Sequence, residues 1–386
     1  MPVVRVNRKG ADRIDSGHPW IFASDVISHG GASAGAAVRV VDPKGHNLGT
    51  AHYSSTSQIT LRLLSRRVEP VDGTFLRERL SAALRYRGRF VQGSNAYRLV
   101  HAEGDLLPGL IVDRYGDWLV LQLLDQGMDR MKDEVTAALT DLLKPQGIVA
   151  RNDVAIRAKE NLTQETVVLF GEVPERVAIA MNGLKLQADL LEGQKTGVFL
   201  DQRENYLAVR RYGHGRALDC FTATGGFALH LASVCETVEA VDSSASALAA
   251  LEVNAAANAI QNVVGRQANV LEYLPAQVSA HRTFDIVVID PPAFTKSRSA
   301  LEGAARGYKE INLRALRLLQ SGGILVSCSC SHHMSEAHLL EVIAAAALDC
   351  GKTLRVLERR TQSQDHPILL TVPETHYLKC LIFEVL

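Results

Sequence analysis

The sequence predicts an α/β protein in three parts: a small β-barrel-like domain, an α+β middle domain and a C-terminal doubly wound parallel sheet. Three observations carry this. Short apolar runs at 217–221, 237–241, 285–289 and 323–328 alternate with Ala-rich helical stretches, clearest at 244–257, the pattern of strands joined by helical crossovers. The first 70 residues instead hold short apolar runs split by Pro/Gly turn signals. The 386-residue length, with 47% hydrophobic and 22% charged residues, suits a globular chain of several domains and excludes disorder as the dominant state.

The expected bounds are 1–70, 71–186 and 187–386. In the first part, runs 37–41 and 59–64 read as strands, and Asp42-Pro43-Lys44-Gly45 marks a turn between them. Pro70-Val71-Asp72-Gly73 reads as a linker. Leu76, Leu80 and Leu84 then repeat at helical spacing and predict a helix over 74–90. The middle part reads as strands at 98–102, 110–113 and 118–124, a helix over 128–143, and strands at 147–151 and 166–170.

Lys plus Arg equals Asp plus Glu, 42 of each, which excludes a polycation. The balance is uneven along the chain. Residues 1–67 carry nine basic side chains (Arg5, Arg8, Lys9, Arg13, Arg39, Lys44, Arg62, Arg66, Arg67) against four acidic ones (Asp12, Asp15, Asp25, Asp42). A basic N-terminal module on a mildly acidic body fits either a polyanion contact or an ordinary solvated face. All six cysteines lie in the C-terminal half without a CxxC pair, and no 18-residue apolar run or signal peptide is seen. Reduced thiols, a cytoplasmic location and no membrane contact are expected.

The strand at 217–221 runs into Thr222-Ala223-Thr224-Gly225-Gly226-Phe227 and then a helix. A strand, glycine turn and helix at the carboxyl edge of a parallel sheet is where nucleotides bind, and glycine lets backbone approach a ligand. The loop is neither GxGxxG nor a P-loop. Asp242 ends the next strand, where a carboxylate can accept both ribose hydroxyls. A loop without the pyrophosphate signature suits S-adenosylmethionine, which has no phosphates. Asp219 then falls near its cationic amino group, and Asn269 where such enzymes often place an acid for the adenine amine.

The buried run 285–290 ends in Asp290-Pro291-Pro292-Ala293-Phe294, whose prolines fix the backbone and hold the carboxylate at the sheet edge. The next strand ends in Cys328-Ser329-Cys330-Ser331-His332-His333. A thiolate added at C6 of a pyrimidine makes C5 nucleophilic enough to take a methyl group, and an acid at N3/N4 of cytosine, a role suited to Asp290, stabilises the adduct. Buried structural cysteine is the competing reading. A zinc site is disfavoured because structural zinc cysteines have two or more residues between them, and only Ser329 separates Cys328 from Cys330. Amino-methyltransferases with D/N-PP-Y/F/W place the aromatic directly after the second proline, whereas Ala293 intervenes here.

At this point the chain resembles the bacterial PUA-domain-containing, SAM-dependent 23S ribosomal RNA 5-methylcytosine methyltransferase family. The matching segments are Gly17-His18-Pro19-Trp20-Ile21-Phe22, the run 101–113 beginning His101-Ala102-Glu103-Gly104-Asp105, the run 193–205 beginning Gly193-Gln194-Lys195-Thr196-Gly197, Thr224-Gly225-Gly226-Phe227, the run 290–297 and Ser329-Cys330-Ser331. The resemblance implies a PUA-type RNA-binding domain at 1–70 and a Rossmann-like methyltransferase domain at 187–386. It implies methylation of cytosine C5 with Cys330 as nucleophile and Cys328 as an extra thiol. This family lacks the Pro-Cys of other RNA cytosine methyltransferases, as does this chain. Asp201, Gln202 and Arg203 are implied to help cover the cofactor. With Asp219, Phe221, Thr222, Gly225, Gly226, Phe227, Asp242, Asn269 and Asp290 they form the expected cofactor set; Cys330 and Asp290 form the catalytic set. The family often has Tyr before Thr-Gly-Gly, where this chain has Ala223. The partners expected are 23S ribosomal RNA and a second copy in a homodimer. Competing functions are uracil-C5 or amino-group RNA methylation, and RNA binding on a methyltransferase scaffold without catalysis.

Overall fold

The structure is a computed structural model that describes residues 1–192, 198–294 and 301–386. It divides into two compact units. One takes Met1–Ala180, Ala188–Val198 and Gln364–Thr375; the other takes Met181–Gln187, Phe199–Ser363 and His376–Leu386. The stretches expected as separate domains at 1–70 and 71–186 thus fall almost wholly within one compact unit, as two different sheets, and residues 364–375 belong to that unit too.

The first sheet is built from β1 (Val3–Val6), β2 (Trp20–Phe22), β3 (Val26–Ser28), β4 (Ala37–Val41), β5 (Asn47–Tyr53) and β6 (Ile59–Ser65), with α1 (Arg8–Asp15) after β1. The order is β2-β6-β5-β4-β1-β3, parallel only between β1 and β4. Asn7 starts α1 by accepting a hydrogen bond from the amide of Gly10. Val4, Val6, Ile14, Ile21, Val38 and Leu61 form the core beneath it.

α2 (Gly73–Phe90) follows, its first amides capped by the Asp72 carboxylate. Leu76 and Leu80 are fully buried, as the helical spacing requires. β7 (Ala96–His101), β8 (Leu110–Tyr115), β9 (Trp118–Leu123), α3 (Gln126–Arg130), α4 (Lys132–Leu143), β10 (Gly147–Arg151) and β11 (Thr166–Gly171) complete an α+β layer. Its sheet order is β11-β10-β9-β8-β7, with α2 and α4 packed together. β12 (Arg176–Met181) and β13 (Leu184–Asp189) form a hairpin outside the expected elements. Its two turn residues, Asn182 and Gly183, both have positive φ (54° and 84°), as tight hairpin turns require.

The second unit holds α5 (Arg203–Arg210), β14 (Arg216–Cys220), α6 (Gly226–Leu231), β15 (Thr237–Asp242), α7 (Ala245–Ala257), β16 (Val263–Gln267), α8 (Val270–Ser279) and β17 (Phe284–Ile289). It continues with α9 (Leu301–Arg317), β18 (Leu319–Ser329), α10 (Glu336–Asp349), β19 (Leu354–Arg360) and β20 (Lys379–Val385). The sheet order is β16-β15-β14-β17-β18-β20-β19. The first five strands are parallel, and β20 lies antiparallel between β18 and β19. β16, β19 and β20 are additions to the strands expected from sequence. Short or charged runs such as Val263-Val264-Gly265-Arg266-Gln267 carry little periodic signal. Leu316, Leu325, Leu339, Ile343 and Phe383 belong to the buried core that helices α9 and α10 help to build.

Candidate active site

β14 has β15 on one side and β17 on the other. The strand order therefore reverses beside β14, and a crevice opens at the carboxyl ends of the strands there. The loop from β14 to α6 is held in an unusual path: Phe221, Ala223 and Gly225 have φ of 63°, 48° and 93°. Three anchors fix it. The amide of Thr222 donates to Val241 O (3.1 Å). The Thr222 hydroxyl and the Ala228 amide donate to Asp219 Oδ2 (2.6 and 3.0 Å). The amide of Ala223 donates to Asp242 Oδ2 (2.9 Å).

The two glycines of the loop have reasons beyond close approach to a ligand. A Cβ on Gly225 would stand 2.2 Å from Leu251 Cδ1, and one on Gly226 would stand 2.3 Å from the Tyr206 ring. Tyr206 also meets Phe227 edge-on, with ring centroids 4.7 Å apart. Phe227 is 4% exposed, so this side chain is core packing under the loop. Phe221 is half-buried and packs on the sheet core.

The residues present suit a cationic, ribose-bearing cofactor. Asp219 is fully buried, and its Oδ1 has no hydrogen-bond partner among the described residues. Burial pushes its carboxyl up to about 7, against the hydrogen bonds from Thr222 and Ala228. An incoming ammonium would relieve that penalty. Asp242 is half-buried at the end of β15, with Oδ1 accepting from the Ser244 amide (2.9 Å). Each of its oxygens keeps a second acceptor site. Asn269 is exposed and works as the N-cap of α8, accepting from the Leu271 amide at 3.0 Å.

Asp201, Gln202 and Arg203 are all buried and tied into the protein. Asp201 Oδ2 accepts from the Tyr377 hydroxyl (2.8 Å), and its carbonyl accepts from Ser363. Gln202 uses both ends: Nε2 donates to Asp290 Oδ2 (3.0 Å) and Oε1 accepts from Asn205 Nδ2 (2.6 Å). Arg203 donates to Glu204 (3.2 Å), and its carbonyl accepts from Asn182 (2.7 Å).

β17 and β18 are neighbours, paired through Ile289 and Ser327, so Asp290 and the Cys328–Cys330 turn leave adjacent strand ends. The two thiols part company here. Cys328 is fully buried, opposite Cys380 on β20, and burial holds its thiol well above the usual range. Cys330 lies one residue beyond β18 and is partly exposed. Two further residues that sequence reasoning left out sit here. The Tyr308 hydroxyl, buried on α9, meets Ser331 Oγ at 3.2 Å, and its ring lies 4.8 Å from that of Phe294. Lys379 Nζ donates to Ser331 O. Neither has a local sequence signal, because only the packing of α9 and the register of β20 bring them to the turn. Residues 193–197 of the Gly-Gln-Lys-Thr-Gly motif and Thr295, Lys296 and Ser297 lie outside the described residues. Among the described residues no group of three or more His, Cys, Asp or Glu is placed to hold a metal.

The basic N-terminal residues fall into two groups. Arg62 is buried, pairing with Glu160 (2.7 Å) and Asp125 (3.6 Å), Arg13 is half-buried against Asp25 and the Phe22 ring, and Arg39 is half-buried on β4. Arg5, Arg8, Lys9, Lys44, Arg66 and Arg67 are exposed.

Residues 98–384 match the family model described as S-adenosylmethionine-dependent methyltransferase. The chain belongs to this family. Residues 4–66 match a PUA-like domain. The chain is 40% identical to the Ribosomal RNA large subunit methyltransferase I of Tolumonas auensis over 375 residues, 95% of this chain and 94% of the relative. It is 38% identical to the protein of that name from Shewanella frigidimarina, over 99% of both chains. The crystal structure of SMU.776, solved with SAH, aligns over 100% of both chains with a TM-score of 0.86 and 21% identity, a likeness of fold. The family fixes the cofactor as S-adenosylmethionine, and the Rossmann-like sheet with a PUA-like N-terminal domain agrees with the fold expected from sequence.

Proposed function

We propose that this methyltransferase acts on 23S ribosomal RNA in the cytoplasm, methylating C5 of a cytosine through a covalent adduct with Cys330. Support for ribosomal RNA comes from the names of its full-length relatives. Support for carbon methylation comes from one observation above all: a partly exposed Cys330 and a strand-end Asp290 leave neighbouring strands at the switch-point edge. Cys328 is too deeply buried to compete.

In this reading the Cys330 thiolate adds to C6 of the cytosine, and the π electrons of the C5–C6 bond make C5 nucleophilic. Asp290, held by Gln202, faces N3/N4 and stabilises the adduct. Bound S-adenosylmethionine supplies the methyl group that C5 acquires. Loss of the C5 proton then restores the C5–C6 double bond and expels the Cys330 thiolate. Asp219 takes the cofactor's ammonium, Asp242 its ribose hydroxyls, and the anchored 221–226 loop lies along it. The exposed arginines and lysines of residues 1–67 meet RNA phosphates.

The test is transfer of a labelled methyl group to 23S ribosomal RNA by wild type and Cys330→Ala, followed by nucleoside analysis. The expected result is labelled 5-methylcytosine with wild type alone, while cofactor binding survives in the variant. Full activity in Cys330→Ala, or label in another nucleoside, overturns the assignment.

A further inference from the structure

Lys379 has no part in the reaction as described so far, yet its side chain is 3% exposed. A buried lysine is costly unless its charge is answered, and among the described residues no carboxylate forms an ion pair with it. Its surroundings are specific. Lys379 opens β20 as the register partner of Ser329, the last residue of β18. Nζ crosses to the far side of the turn and donates to Ser331 O (2.7 Å), with a second bond to Tyr377 O (2.8 Å). Cys330 is the residue between its register partner and its acceptor. An ammonium has three donors; two are taken by carbonyls, and one is left.

We propose that Lys379 is a positioning residue for Cys330, holding the turn that carries the thiol and setting a positive charge beside it so that the thiolate forms near neutral pH. The proposal rests on the reading of Cys330 as nucleophile. On ionisation the thiol proton passes to solvent, which the partly exposed side chain reaches, and Lys379 keeps its own protons.

The electrostatics agree with the geometry. Burial draws the Lys379 ammonium down to about 8, while negative charge on Cys330, and then on Glu336, acts to raise it. The same attraction seen from the other partner favours the thiolate. Several other polar groups around the turn have partners of their own. Glu336 of α10 pairs with Arg359 of β19. The Tyr308 hydroxyl of α9 meets Ser331, and the Tyr377 hydroxyl bonds Asp201. Cys328 and Cys380 face each other as buried thiols. Lys379 is a cation hydrogen-bonded directly to this turn.

The test is the pH dependence of Cys330 alkylation by iodoacetamide, read on its own peptide by mass spectrometry, in the full-length protein. In wild type the midpoint is expected below the ordinary thiol value of about 8.5. A wild-type midpoint at or above that value overturns the proposal without any variant. In Lys379→Met and Lys379→Gln the midpoint should rise by about one unit, making alkylation at pH 7 roughly tenfold slower. Lys379→Arg, which keeps the charge, should stay within about threefold of wild type. Neutral variants that lose thermal stability but keep the wild-type midpoint reduce Lys379 to a structural staple and overturn the proposal. The two readings separate cleanly. An alkylation shift alongside an active Cys330→Ala keeps the coupling and removes the nucleophile. An inactive Cys330→Ala with an unshifted midpoint does the reverse.

Discussion

Gln202 and Asp290 stand 88 residues apart in the chain and are joined by a 3.0 Å hydrogen bond from Nε2 to Oδ2. The bond steers a carboxylate that the Asp290-Pro291-Pro292 turn has already stiffened. Because Gln202 Oε1 is taken by Asn205, the amide cannot flip without losing both hydrogen bonds.

Gln202→Leu removes both bonds at nearly constant size. A lost partner at a buried polar pair costs about 1–3 kcal/mol, so kcat for RNA methylation should fall roughly tenfold to a hundredfold. The dissociation constant for S-adenosylmethionine, measured by calorimetry, should move much less. A kcat within about twofold of wild type would mean that the proline turn alone orients Asp290.

Asp219 makes the protein's stability depend on pH in a definite direction. Its carboxyl is raised by burial from 3.8 to about 7, so between these values the folded state binds more protons than the unfolded one. Its contribution is fully present below about pH 4 and is lost as pH rises toward 7. Without cofactor, the wild-type melting temperature should decline over that window relative to Asp219→Asn, whose neutral side chain does not titrate. Parallel melting curves for the two proteins from pH 4 to 7 would remove Asp219 as the source.

Gly226→Ala forces a methyl group to within 2.3 Å of the Tyr206 ring. Tyr206 is buried between Phe227 and the stacked His230 ring, 5.0 Å away, and has little room to yield. Overpacking of this kind costs about 1–3 kcal/mol. The expected result is a lower melting temperature together with weaker cofactor binding. Tyr206→Phe does not relieve the clash, because ring carbon Cζ is among the atoms met. A variant with native melting temperature and affinity shows that α6 shifts freely.

Arg66 and Arg67 look equivalent in sequence and differ in structure. Arg66 donates to Ile14 O (2.5 Å) and Asp15 O (3.4 Å) at the end of α1, whereas the exposed Arg67 carries no such tie to α1 among the described residues. Arg67→Glu should weaken RNA binding and lower the salt slope by about one for each phosphate it no longer neutralises, with the melting temperature unchanged. Arg66→Glu should lower both affinity and melting temperature. An unchanged salt slope in Arg67→Glu excludes Arg67 from the RNA interface.

What the sequence disclosed was local. Asp242 and Asp290 each close or follow an apolar run, and a run ending in a carboxylate can be read as a strand end from its own few residues; Asp219 stands inside such a run, just before the glycine loop. The same holds for α2, whose leucines repeat at helical spacing. The remainder depends on pairings across long separations. Lys379 reaches Ser331 only through the antiparallel register of β20 on β18, and Tyr308 only through the packing of α9. Periodicity says nothing of either. The two cysteines make the point at the smallest scale. Had β18 run on, strand alternation would put Cys328 and Cys330 on one face, but β18 ends at Ser329, which frees Cys330 while Cys328 stays in the core.

The sheet order also makes one strand responsible for two edges. β19 precedes β20 in the chain, yet among the described strands its ladder bonds run only to β20. Without β20, the outer edge of β18 and the edge of β19 that faces it have no partner in this sheet. Wherever β20 is undocked, those edges are open to other chains, an aggregation hazard that the strand bearing Lys379 removes. The strand that brings Lys379 to the turn of Cys330 is thus also the strand that covers both edges.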